Sequence, residues 1–174
     1  MDIQVYSDYR LVQDGRVYDC ALGAGGMTAD KREGDGATPI GRYPLRRVLY
    51  RPDRLSAPET RLPVEAIGPE DGWCDAPDDP QYNRPVRLPY AASHEKLWRE
   101  DGVYDIVVIL GHNDDPPVAG AGSAIFLHVA RTGYAPTEGC VALALDDLQR
   151  VLSGCGPGDH IEIVGEPYPA AAAG

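Results

Sequence analysis

Apolar residues recur at every second position in several short stretches of the chain, the spacing of a strand with one covered face. Ile3 and Val5 alternate with Gln4 and Tyr6, and Gln13-Asp14-Gly15 then leads into Arg16-Val17-Tyr18-Asp19-Cys20-Ala21-Leu22. An Asp-Gly pair between alternating runs predicts a hairpin. Residues 23–44 are rich in turns and end in a further strand at Ile40-Gly41-Arg42-Tyr43. Val103-Tyr104-Asp105-Ile106-Val107-Val108-Ile109-Leu110 is the most β-branched run and predicts a buried central strand. Ser123-Ala124-Ile125-Phe126-Leu127-His128-Val129 reads as a second core strand, and His160-Ile161-Glu162-Ile163-Val164 as a closing one.

Helical signals are few. Asp146 to Leu152, with acids in front and Gly154 behind, predicts a short helix with a dipole-matched start and a glycine stop. Ala91-Ala92-Ser93-His94-Glu95-Lys96-Leu97-Trp98 predicts another, capped by Ser93, with His94 exposed on it. Eight prolines between residues 51 and 90, from Pro52 to Pro89, leave little room for regular helix and predict a long, structured loop region. The expectation is a mainly β sandwich or barrel, a single domain over residues 1–166 followed by a frayed tail, 167–174.

Composition narrows the function. Hydrophobic residues at 43% and charged residues at 25% are the balance of an ordinary folded domain. Lys and Arg number 16 against 27 Asp and Glu, a net charge of −11, which excludes nucleic acid and an anionic membrane surface as electrostatic partners. No run approaches the roughly 18–20 apolar residues of a membrane span. The start Met1-Asp2-Ile3-Gln4-Val5-Tyr6 has no basic or apolar leader region. Lys31 lacks the preceding glycine pattern and following Ser or Thr of a phosphate loop, and no other cofactor signature is present. Cys20, Cys74, Cys140 and Cys155 form no CxxC pair. A metal site from His112, His128 and Cys140 has no closely spaced ligand pair, a poor zinc pattern, so no metal is expected.

Two residues carry chemistry. His128 sits within Phe126-Leu127-His128-Val129, where a titratable side chain is costly unless it has a partner or a task. Cys140 follows Thr137-Glu138-Gly139 at a turn-to-strand junction, and the glycine lets consecutive amides of Gly139 and Cys140 aim at one point. A thiol there, with an imidazole on a neighbouring strand, has the parts for nucleophilic acyl transfer. The bland alternative, a buried thiol and a hydrogen-bonded core histidine, uses the same spacing.

Ile125-Phe126-Leu127-His128-Val129-Ala130-Arg131, then Thr137-Glu138-Gly139-Cys140-Val141-Ala142-Leu143 and a short helix, resemble the signature of the L,D-transpeptidase catalytic domain, the YkuD fold. Upstream, Gly36-Ala37-Thr38-Pro39-Ile40-Gly41-Arg42-Tyr43 resembles that family's TPxGxY segment. The resemblance implies a β-sandwich with one or two short helices. It implies that Cys140 attacks the bond after the L-centre of meso-diaminopimelate in a peptidoglycan stem peptide, that the terminal D-Ala leaves, and that the thioester passes to an amine of another stem. His128 is then the base, the N–H groups of Gly139 and Cys140 the oxyanion hole, and carbapenems acylate the thiol. The same chemistry with water as acceptor is an L,D-carboxypeptidase trimming recycled muropeptides. Cross-linking implies the periplasm or cell envelope after removal of a leader; a chain complete as written implies the cytoplasm.

The family's usual motif has a histidine before Gly-Cys and a polar residue two positions after the cysteine. Here Glu138 and Ala142 stand in those places, so the sequence resembles a divergent branch. Arg131 and Tyr134, between base and nucleophile, are candidates to hold a substrate carboxylate or to bond His128, and His112 is a candidate lining residue. Trp73, Cys74, Asp75, Tyr82, Asn83 and Arg84 either line the cleft from the long loop or pack it, packing being the default expectation. Cys20, Cys74 and Cys155 are expected to be buried or incidental thiols.

Overall fold

A computed structural model describes residues 1–169. The strands in order are β1 (Ile3–Tyr6), β2 (Arg10–Gln13), β3 (Arg16–Asp19), β4 (Met27–Thr28), β5 (Thr38–Pro39), β6 (Gly41–Tyr50) and β7 (Val64–Ala66). There follow β8 (Asp71–Cys74), β9 (Pro85–Arg87), β10 (His94–Lys96), β11 (Ile106–Leu110), β12 (Phe126–Val129), β13 (Val141–Leu143) and, after helix α1 (Leu145–Ser153), β14 (His160–Ile163). The main sheet runs β13-β12-β11-β6-β14-β1-β2-β3, with β7 added beside β6. The predicted hairpin is present: Val12 pairs with Val17 and Gln13 with Arg16 around Asp14, which has φ +48°, and Gly15, which has φ +75°.

Strand β6 serves two layers. Its first residues, Gly41 to Pro44, pair antiparallel with β14, while Leu45 to Tyr50 pair with β11. The two ends of the sheet approach one another, since Ala21, just after β3, bridges Ala142 of β13. The result is a sandwich that nearly closes into a barrel. Its interior holds Ile3, Val5, Leu11, Leu127, Val141 and Leu143, with Leu148, Val151 and Leu152 of α1.

Strand β11 is buried on both faces, as its unbroken apolar sequence predicts. Ile106, Val108 and Leu110 face the interior, whereas Val107 and Ile109 face a second core with Trp73, Leu97, Tyr104, Phe126 and Cys140. That second core lies under a small sheet ordered β10-β8-β9. The Pro-rich region therefore supplies β7, β8 and β9 as well as loop.

The helix expected over Ala91–Trp98 is replaced by strand β10, in which His94, Glu95 and Lys96 pair antiparallel with Cys74, Trp73 and Gly72 of β8. Eight residues cannot recover the cost of helix nucleation alone, and β8 offers backbone partners with the period-two alternation that aims Glu95 and Leu97 to one side. Among the described residues one α-helix is present, with Asp146 and Asp147 in its first turn, together with a single 3₁₀ turn at Thr132–Tyr134. At the C-terminus Tyr168 donates its N–H to Asp8 Oδ1 at 2.9 Å and sets its ring edge-on to Tyr6. The chain is thus held two residues past the expected boundary. The alanine run from 170 lies outside the described residues.

Candidate active site

Parallel pairing of β12 with β13 sets the site. Leu127 pairs with Val141 and His128 with Ala142, so Cys140, one residue before β13, lies beside Phe126. Phe126 and His128 are two residues apart on one strand and share a face. Both belong to the side away from the sandwich interior, and Cys140 and His128 line one cleft with Glu33, Asp75, Glu95, Arg99, Tyr104 and Glu138.

The turn before Cys140 is tied on both sides. Thr137 N–H donates to Leu22 O at 2.9 Å and Ala24 N–H to Thr137 O at 2.8 Å. Thr137 Oγ1 accepts from the Gly139 N–H at 3.1 Å and donates to Cys140 O at 2.6 Å. Of the two amides expected to hold an oxyanion, Gly139's is therefore engaged by the threonine hydroxyl, and Cys140's has no partner among the described residues. Gly139 has to be glycine: its φ is +132°, and a Cβ there would stand 2.8 Å from Ala37 O.

The resting thiol is satisfied by main chain. Cys140 Sγ accepts from the Phe126 N–H at 3.3 Å and donates to Ala124 O at 3.2 Å. Burial, with the Glu95 charge adding to it, pushes the thiol pKa up to about 12, while the Phe126 N–H and Lys31 oppose that rise. His128 is 7% exposed, and burial lowers its pKa to about 4. Its Nδ1 lies 2.9 Å from Val129 O, which can only accept, so the neutral ring carries its proton on Nδ1 and leaves the Nε2 lone pair as a base. The structure brings Cys140 and His128 into one cleft without a hydrogen bond between them. At neutral pH both groups are uncharged, the thiol proton resting on Ala124 O and the imidazole proton on Val129 O.

Tyr104 frames the histidine. Its ring stands edge-on to His128 at 5.3 Å and to Phe126 at 5.9 Å, and its hydroxyl donates to Glu95 Oε1 at 3.1 Å. Arg131 lines the cleft as a half-exposed side chain and contacts Asp101 at 3.4 Å. Asp101 also accepts from Arg99 Nε at 3.1 Å and Nη2 at 2.6 Å.

Tyr134 and His112 stand outside the lining. Burial, with the charges of Asp147 and Asp19, raises the Tyr134 pKa on the α1 side of the turn. His112 packs edge-on to Tyr43 at 5.2 Å, with its Nδ1 buried and unpartnered. Among the described residues no group of three His, Cys, Asp or Glu is arranged to hold a metal ion. All four cysteines are buried and free.

Three contributors carry no local sequence signal. Lys31, its side chain only 8% exposed, pairs with Asp35 and brings Nζ to 3.3 Å from the place a Gly139 Cβ would take. Asn83 donates to His112 O at 3.0 Å and Asn113 O at 2.7 Å and accepts from Trp73 Nε1 and Ala124 N–H, both at 3.0 Å. It thereby fixes the carbonyl that holds the thiol. Glu95 lies on the strand that the sequence reads as helix. Tyr82 packs as expected, its hydroxyl donating to Glu33 Oε1 at 2.7 Å and accepting the Gly122 N–H at 3.0 Å.

The fold has solved counterparts. The structure of Bdellovibrio bacteriovorus Bd1075 superposes with a TM-score of 0.50 at 15% identity, covering 98% of this chain and 50% of that one. The helical cell shape determining protein Pgp2 from Campylobacter jejuni gives a TM-score of 0.46 at 15% identity, covering 95% and 48%. The chain thus spans about half the length of these solved structures. No curated protein sequence matches it. The family model of the L,D-transpeptidase catalytic domain, YkuD, matches residues 3–163, nearly the whole sandwich with both Cys140 and His128. The chain belongs to the L,D-transpeptidase catalytic domain family.

Proposed function

We propose that the protein is a cysteine acyltransferase of peptidoglycan stem peptides, with Cys140 as nucleophile and His128 as base. The observation that carries this reading is the β12–β13 register, which sets a buried thiol and a neutral imidazole against one cleft. Substrate entry frees the thiol from Ala124 O, His128 Nε2 takes its proton, and Sγ attacks the carbonyl beside the L-centre of the stem's diamino acid. The resulting oxyanion is met by the Cys140 N–H and, once Thr137 releases it, the Gly139 N–H. The imidazolium protonates the departing D-amino acid, leaving a thioester on Cys140. An amine of a second stem then takes the acyl group. Such cross-linking belongs outside the cytoplasmic membrane; among the described residues no helix is long and apolar enough to cross one.

The test is product analysis after incubation with a disaccharide tetrapeptide and an acceptor stem. A cross-linked dimer is the expected product, and its fragment spectrum gives the linkage. Tripeptide alone would make the protein a carboxypeptidase.

A further inference from the structure

We propose that Glu95 is the proton acceptor for the incoming amine, a second base beside His128 that directs the Cys140 thioester toward aminolysis. The proposal rests on the acyl-transfer reading above. Proton counting motivates it. An amine arrives as ammonium, so it must lose one proton before attack and another as the tetrahedral adduct collapses; water needs only one base. In the cleft the first proton passes from the ammonium to the Glu95 carboxylate. The freed nitrogen attacks the thioester carbon, the N–C bond forms and the C–Sγ bond breaks. The second proton travels from nitrogen through His128 Nε2 to the thiolate, and Glu95 returns its own to solvent. Ammonium and thioester become amide, thiol and one released proton.

The geometry points to Glu95 among the acids of the cleft. It sits in the middle of β10, opposite Trp73, and lines the same cleft as Cys140 and His128. Its Oε1 is held by the Tyr104 hydroxyl, whose ring packs on His128, so both proposed bases are braced by one side chain. Among the described residues no Lys or Arg forms an ion pair with it: Arg99, the cation whose charge reaches it, is held at two nitrogens by Asp101. Asp75, just after β8, lines the same cleft and adds a second negative charge beside Glu95. The groups facing Glu95 are Asp75, Arg99, Tyr104, Glu138, Cys140 and His128. Burial raises its pKa most, Tyr104 and Arg99 oppose, Asp75 and Glu138 add, and the balance stands at about 7, where a carboxylate can both take and release a proton in neutral solution.

The experiment compares wild type, Glu95→Gln and Tyr104→Phe in the full chain, using disaccharide tetrapeptide as donor and an isotopically labelled tripeptide with a free amine as acceptor. Acylation of Cys140, hydrolysis and labelled dimer are followed by mass spectrometry across pH 5–9. For Glu95→Gln, the ratio of dimer formation to acylation is expected to fall at least tenfold, with loss of the pH limb near neutrality. Tyr104→Phe removes a donor to the carboxylate and should move that limb to higher pH. Equal slowing of acylation and dimer formation, or an unchanged ratio and limb, would overturn the proposal. A wild type that only hydrolyses would also overturn it while leaving the thioester reading intact; absence of any Cys140 adduct would instead remove that reading.

Discussion

Thr137 Oγ1 holds the Gly139 N–H at 3.1 Å, which makes a side chain two residues upstream the keeper of an amide that the proposed mechanism calls on as an oxyanion donor. The same hydroxyl donates to Cys140 O, so one group sets both ends of the turn that presents Cys140. Thr137→Val keeps the β-branched shape and removes both bonds. Loss of turn geometry is expected to outweigh release of the amide: thiol acylation should slow about tenfold and stability fall by about 1–2 kcal/mol. Carbapenem acylation kinetics and urea unfolding measure the two effects.

Gly139→Ala adds a methyl group 2.8 Å from Ala37 O at a φ of +132°. Strain and overpacking together should cost about 2–4 kcal/mol and abolish acylation. Gly133, with φ +71° and open space around it, is the control. Gly133→Ala should cost about 1–2 kcal/mol and leave the thiol reactive.

His128→Gln should slow acylation of Cys140 by about 10²–10⁴-fold, the usual worth of a general base. The amide cannot take the thiol proton, yet its N–H can still meet Val129 O. If His128 were only a core residue, melting temperature would drop and acylation would be nearly unchanged.

Stability should respond to pH through three buried groups. His128 and His112 are each held near 4 in the folded protein against 6.5 in the unfolded chain, so between these values the unfolded state binds two protons the folded state lacks. Their contribution falls as pH drops from 6.5 to 4. Glu95 acts in the opposite sense: raised from 4.5 to about 7, it holds a proton in the fold that the unfolded chain releases, so its contribution is full below 4.5 and lost as pH rises through 7. Thermal melts from pH 7.5 to 4.5 should show a net decline. The decline should steepen in Glu95→Gln and flatten in His112→Gln.

The Cys140 and His128 pair was more legible in the chain than the residues around it. His128 in an apolar strand and Cys140 behind a glycine are local patterns, and the strands that pair them are equally local. Ala91–Trp98 shows the limit: its composition suits a helix, and only the presence of β8 alongside makes it a strand and turns Glu95 into the cleft. Lys31 meets the Gly139 turn, and Asn83 ties the Trp73 and Ala124 segments, through contacts between parts of the chain far apart in sequence. Tyr134 and His112 lie near the motif in sequence but face other walls, because the 3₁₀ turn and the end of β11 direct them away from the cleft.

The most direct test is intact-protein mass spectrometry with peptide mapping after exposure to the disaccharide tetrapeptide and, separately, to a carbapenem. The account predicts a covalent adduct on Cys140 in both cases, the stem having lost its terminal D-amino acid, and none in Cys140→Ala. An adduct mapped to Cys20, Cys74 or Cys155, or one of equal yield in Cys140→Ala, would contradict it.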